Sequence, residues 1–176
     1  MDHDAYSDTY IKGILGEVKT IAMVGASPNS VRPSYFVMKY MLSKGYDVWP
    51  INPGHAGKEI LGQPVHAALH DLPETPDMID IFRNSAAAAL IVDDILASSM
   101  RPKVIWMQLT VRNDEAARKA EDVGIKVVMN RCPKIEYGRL SGEIGWAGVN
   151  SRTISSRRPA MKGGFQHRGL RPSDKS

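Results

Sequence analysis

The sequence predicts an α/β domain: a doubly wound, Rossmann-like parallel sheet in a single domain. Short apolar runs bounded by turn residues recur along the chain and alternate with stretches of helical period, the pattern of right-handed βαβ units. The first run, Thr20-Ile21-Ala22-Met23-Val24, passes at Gly25 into a polar loop and then to Pro33, a residue suited to a first helical turn. Most of the runs end in polar, glycine-, proline- or asparagine-bearing turns, which in such a sheet gather on one edge.

Taken in order, Tyr6, Tyr10, Ile14 and Val18 stand at helical spacing and predict a leading helix on the sheet edge. The first strand covers 20–25, and a helix over 33–44 stops at Gly45. A second strand, 46–52, ends at Pro53-Gly54. A polar loop follows, with a short turn near His70-Asp71-Leu72-Pro73. The third strand is 78–82, after which Ser85 is expected to cap an alanine-rich helix reaching about residue 99. The fourth strand is 103–107, a charged helix covers 113–123 and ends at Gly124, and the fifth strand is 125–129. The expected strand order is 3-2-1-4-5.

Composition narrows the classes. The 176 residues are 43% hydrophobic and 24% charged, ordinary for a soluble globular chain and enough for one buried core. No apolar run approaches the ~20 residues of a membrane span. Met1-Asp2-His3-Asp4 lacks the basic and apolar regions of a signal peptide, and a lone Cys132 makes no intrachain disulfide, so the cytoplasm is the expected compartment. The net charge of +4 is unevenly placed. Residues 151–176 carry +6, leaving the preceding body at −2, so basicity belongs to a tail. We therefore expect a domain over 1–145 and a basic, mobile extension over 146–176.

The chemistry gathers at strand ends: Gly25-Ala26-Ser27, Asn52-Pro53, Phe82-Arg83-Asn84, Gln108-Leu109-Thr110 and Asn130-Arg131-Cys132-Pro133. Gly25 permits a sharp turn and close ligand approach. The helix start at Pro33 aims free N–H groups and the positive dipole end at that edge, which suits an anion, with Arg32 beside it. Arg32 and Arg83 suit phosphate oxygens, and Phe82 suits stacking on a flat ring. A nicotinamide dinucleotide fits less well. Ala26, Ser27 and Pro28 stand where further glycines belong, and Asn52 where an acidic residue would hold a ribose hydroxyl. There is no Walker lysine; Lys39 falls inside the helix.

These motifs together resemble the stand-alone CoA-binding protein family, itself similar to the N-terminal, CoA-binding domain of the succinate–CoA ligase α-subunit. The residues that carry the likeness are Val24-Gly25-Ala26-Ser27, Arg32-Pro33-Ser34-Tyr35, Asn52-Pro53, Ile81-Phe82-Arg83-Asn84-Ser85, Gln108-Leu109 and Asn130-Arg131-Cys132-Pro133, within about residues 6–137. The resemblance implies bound CoA or acyl-CoA. It places the phosphates and pantetheine against Gly25, Ala26, Ser27, Arg32, Pro33 and Ser34. The adenine side falls near Asn52, Pro53, Phe82 and Arg83, with Asn84 following in the same motif, and the arm near Gln108, with Cys132 a further candidate. The ligase's phosphorylated histidine belongs to a second domain that has no counterpart here. Binding without catalysis, with a regulatory or thiol-redox role, is thus the expectation.

Other readings stay open at this point. Cys132 is either a small buried hydrophobe or, with thiolate character lent by Arg131, a thiol able to form a mixed disulfide with CoA. Arg83 is either a ligand contact or a surface partner of Asp80 or Asp93. The five histidines show no metal spacing and no catalytic triad is legible. An oxidoreductase using an NADP-like cofactor is one alternative. A nucleic-acid accessory protein acting through its tail is another, although Phe165 alone offers base stacking there. Homo-oligomerisation is left undecided, including whether the segment around Trp146 packs on a second subunit.

Overall fold

The computed structural model describes residues 1–143; the expected extension over 146–176 and the Trp146 segment lie outside the described residues. The elements in chain order are α1 (Asp8–Glu17), β1 (Thr20–Val24), α2 (Pro33–Ser43), β2 (Asp47–Ile51), β3 (Glu59–Ile60), β4 (Gln63–Pro64), β5 (Met78–Ile81), α3 (Ser85–Ala97), β6 (Val104–Met107), α4 (Asp114–Asp122), β7 (Lys126–Val128) and α5 (Pro133–Leu140). Five strands form one wholly parallel sheet in the order β2-β1-β5-β6-β7, while β3 and β4 make a separate two-stranded antiparallel pair. The fold is the expected Rossmann-like α/β domain.

The strand order corrects the expectation. Counting only the five strands of the main sheet, it is 2-1-3-4-5: the third strand inserts beside the first instead of outside the second. The reason is legible in two residues. Pro50 has no N–H to give a second neighbour, so β2 belongs at an edge, where Pro50 lies opposite Met23 of β1. All four residues of β5, by contrast, are buried, as a strand covered on both faces and flanked on both sides requires. The direction of winding therefore reverses between β1 and β5, and the crevice of an open α/β sheet opens there.

Two apolar layers sandwich the sheet. Ile21, Met23, Met78 and Trp106 face α1, α2 and α5, while Ala22, Ile79, Ile105 and Met107 face α3 and α4. That is the period-two alternation of strands buried on both sides. Helix α5 is an addition to the elements expected from the sequence. Its start has a plain signal, Pro133 in the first turn, and its Tyr137 and Leu140 pack into the first layer. The cap of α3 also moves by one residue: Asn84, not Ser85, accepts the Ala87 N–H at 2.8 Å, while the Ser85 hydroxyl accepts from Arg112 N at 3.1 Å. Among the described residues, no helix is long and apolar enough to cross a membrane.

Candidate functional site at the strand ends

Gly25 is the hinge of the site. It has φ +86°, and a Cβ there would lie 2.5 Å from the Phe82 carbonyl oxygen and 3.1 Å from Arg83 Cδ. The ends of β1 and β5 thus approach so closely that only glycine fits, which accounts for this residue from the protein's own backbone. Gly25 N donates to Ile51 O at 2.9 Å and Phe82 N to Val24 O at 2.8 Å, so the three strand ends are tied at one level.

From Gly25 the chain runs over the crevice to α2. Ser27 Oγ accepts from Asn29 N at 3.2 Å, Asn29 Oδ1 from Val31 N at 3.1 Å, and Asn29 O from Arg32 N at 3.0 Å. These local bonds shape a polar loop that leaves the Ser27 hydroxyl hydrogen uncommitted. Ala26 is buried below it, and Ser34 is buried at the helix start. Asn52 serves as a clamp: its Nδ2 donates to Ala26 O at 2.7 Å, its Oδ1 accepts from Gly54 N at 2.9 Å, and its N–H donates to His66 O at 2.9 Å. Its polar atoms hold the loop, with Pro53 exposed beside it.

The helix starts differ in a way that matters for anions. Ser7, Asn84 and Asn113 cap α1, α3 and α4 with their own side chains. The caps of α2 (Arg32) and α5 (Cys132) make no side-chain bond. Both of these helices lie on the same face of the sheet and begin at its carboxyl edge, but only the α2 start keeps a free donor, the Ser34 N–H, for a negatively charged ligand; the Lys134 and Ile135 N–H groups of α5 face the Cys132 thiol. Arg32 and Arg83 are exposed, and neither guanidinium has a hydrogen-bond or ion-pair partner among the described residues. The alternative of Arg83 paired with Asp80 or Asp93 is therefore set aside; Asp93 pairs with Lys119 at 3.0 Å, and Asp80 is in the core. Phe82 is half-buried against the first apolar layer.

On the far side of the crevice, backbone strain marks the strand ends. Thr110 (φ 69°) and Asn130 (φ 52°) hold left-handed conformations that non-glycine residues seldom adopt. The two support each other: Thr110 N donates to Asn130 Oδ1 at 2.8 Å, and Asn130 N to Val111 O at 3.1 Å. The Trp106 indole N–H donates to Arg131 O at 2.8 Å and pins the turn into α5. Beneath it, Gln108 Nε2 donates to both oxygens of the wholly buried Asp80, at 2.9 and 3.1 Å. Burial pushes the Asp80 carboxyl up to about 7, against the pull of the Gln108 hydrogen bond. Asp80 has no clear signal in the sequence, because a lone acid in an apolar run looks like a surface residue; its place in a central strand only appears with the strand order.

Cys132 is buried at the start of α5. Burial pushes its thiol up, and the α5 amides of Ile135 and Lys134 only partly offset this. Arg131 does not supply the expected thiolate character: its guanidinium lies over the Tyr6 ring at 5.5 Å and near Glu136 at 3.8 Å. A separate cleft of about 410 Å³, bounded by Tyr6, Asp8, Ile11, Arg131, Glu136 and Arg139, opens between α1 and α5. Of its two arginines, Arg139 is paired with Asp8 at 2.8 Å and Glu136 at 2.7 Å and Arg131 lies 3.8 Å from Glu136, so it offers less free positive charge than the strand-end crevice.

Comparison with known proteins agrees with this fold. The Bacillus subtilis protein YneT, uncharacterized, is 31% identical over 131 residues, covering 74% of this chain and 94% of its own. A Thermus thermophilus protein of known structure, cell-free ID.343, is 36% identical with a TM-score of 0.72, covering 77% of this chain and 99% of its own. A hypothetical protein from Pyrococcus horikoshii OT3 is also 36% identical at a TM-score of 0.72, over 80% of this chain and 96% of its own. The matched family is described as a CoA binding domain and spans residues 19–138, from the start of β1 into α5, which takes in every strand end that forms the crevice. The chain belongs to the CoA-binding domain family.

Proposed function

We propose that this chain binds CoA or an acyl-CoA in the crevice between the ends of β1 and β5, and that it does so without catalysing a reaction on it. The observation that carries the reading is the pairing of the α2 start, which lacks a side-chain cap, with two unpartnered arginines at the winding reversal. Such a donor set suits a ligand bearing several phosphates. Gly25, Ala26, Ser27, Arg32, Pro33 and Ser34 would hold phosphates and the near end of the arm. Asn52, Pro53, Phe82, Arg83 and Asn84 would border the adenine side, and Gln108 and Cys132 the distal arm. The binding unit is 1–145, with 146–176 an extension from it.

A regulatory role follows more naturally than a thiol-redox one. A thiol pushed upward by burial is a poor nucleophile, so Cys132 fits a packing role better than mixed-disulfide formation. The test is calorimetric titration of CoA into the full chain and into Arg32→Ala. A lost charge-assisted bond of about 1.5–3 kcal/mol corresponds to roughly 10- to 100-fold weaker binding. Equal affinity in the two proteins would remove the phosphate site from this crevice.

A further inference from the structure

Asp80 has a role beyond packing. It is buried along its whole length in β5, with Met23 of β1 and Trp106 of β6 in register on either side. Neither neighbour relieves it: Met23 has no donor, and Trp106 has committed its N–H to Arg131. Its side-chain partner among the described residues is the neutral amide of Gln108. A buried carboxylate with one neutral partner costs free energy and contributes no ion pair in return. What it does accomplish is to orient that partner. A carboxylate takes only donors, and an amide has an NH₂ end and a carbonyl end, so Asp80 draws Nε2 inward and turns Oε1 outward. Gln108 immediately follows β6 at the carboxyl edge. Its Oε1 has no partner among the described residues and is not among the atoms sealed from solvent there.

We infer that Asp80 is a positioning residue that fixes the hydrogen-bonding polarity of Gln108, so that the crevice presents an acceptor, Gln108 Oε1, to a donor on the ligand's arm, an amide N–H or a thiol S–H. The inference rests on the CoA reading, since the arm of CoA carries both kinds of donor. A proton taken from solvent by Asp80 reverses the arrangement. The carboxyl O–H then donates to Oε1, the amide turns over, and the crevice presents Nε2 instead. Few other charges stand near enough to interfere. From α5 come Cys132, whose thiol senses the Asp80 charge, and Lys134, whose charge reaches Cys132. From the α2 side come buried Ser34 and Met38, uncharged, with Arg32 exposed at the cap. The flanking strands bring no titratable group in register.

The test uses the full chain, wild type and Asp80→Asn, titrated calorimetrically with CoA and with acetyl-CoA at pH 6 and pH 8. The substituted amide preserves the shape and a carbonyl for Gln108 Nε2 but cannot take up the proton. If the competent orientation falls with Asp80 protonation, wild-type affinity should drop on going to pH 6 by up to about tenfold more than that of Asp80→Asn. Losses from protonation of the ligand's phosphates are common to both proteins and cancel. An extra drop seen with both ligands assigns the donor to an arm amide; one seen with CoA alone assigns it to the thiol. In parallel, the Gln108 side-chain NH₂ resonances of the ligand-free wild type should shift with a midpoint near pH 7, which requires no variant to fold. CoA binding with the same pH dependence in both proteins, or a Gln108 amide that ignores pH, overturns the inference and leaves the CoA reading standing. No CoA binding by the wild type at either pH overturns the CoA reading, and this inference with it.

Discussion

At the scale of single residues, burial decides more than identity. The Asp80 carboxyl, raised by burial from an ordinary value of 3.8 to about 7, should make its contribution to stability depend on pH in an unusual sense. The folded protein holds this proton more tightly than the unfolded chain does. The contribution is therefore fully present below about pH 4 and is lost as pH rises through about 7. Glu17, held low by its bond to Lys126, and Asp114, held low by its bond to Arg112, act in the opposite sense. The difference between wild type and Asp80→Asn isolates the one group. In urea unfolding, Asp80→Asn should gain on the wild type by a few kcal/mol between pH 5 and pH 8. Parallel curves across that range would show that the carboxyl titrates normally.

Among the elements, the helix starts sort into two kinds. Those capped by their own side chains are structurally complete, and the first amides of α5 face the Cys132 thiol; the start of α2 has a donor to give a ligand. For α3 the distinction can be tested. Removing the Asn84 side chain should cost about 1 kcal/mol, as for other asparagine caps. Ser85→Ala, which removes a single exposed bond to Arg112, should cost about half of that. Urea midpoints decide between them: a Ser85→Ala cost equal to or above that of Asn84→Ala would return the cap to Ser85. The same physics at element level explains β2, where Pro50 forces an edge position and so moves β5 into the interior of the sheet.

For the whole molecule, the main sheet and its two helix layers form one body, with the crevice on one edge and a net-basic segment beyond the domain in sequence. A chain ending at residue 145 should fold and bind CoA with the affinity of the full chain. Gel filtration followed by calorimetric titration checks both. A loss of affinity above a few fold on removing 146–176 would show that this segment contributes to the site.

Much of this is legible in the sequence because it depends on local physics. Apolar runs bounded by turns predict the five main strands, and helical spacing with Pro33 and Gly45 predicts α2. The strand-end residues are legible because a parallel sheet puts every strand's carboxyl end on one edge. Features that need a neighbour distant in sequence are misread or invisible there. The strand order, the setting of Asp80 against Gln108 and the packing of α5 all depend on contacts between segments far apart in the chain. So does the demand for glycine at 25, which the Phe82 carbonyl imposes from 57 residues away. The alternating elements and the chemistry at their ends follow from the sequence alone, since propensity and periodicity act over a few residues. Which strands lie side by side, and which polar groups are left without partners, emerges only in three dimensions, because desolvation and close packing act between segments the chain must first bring together.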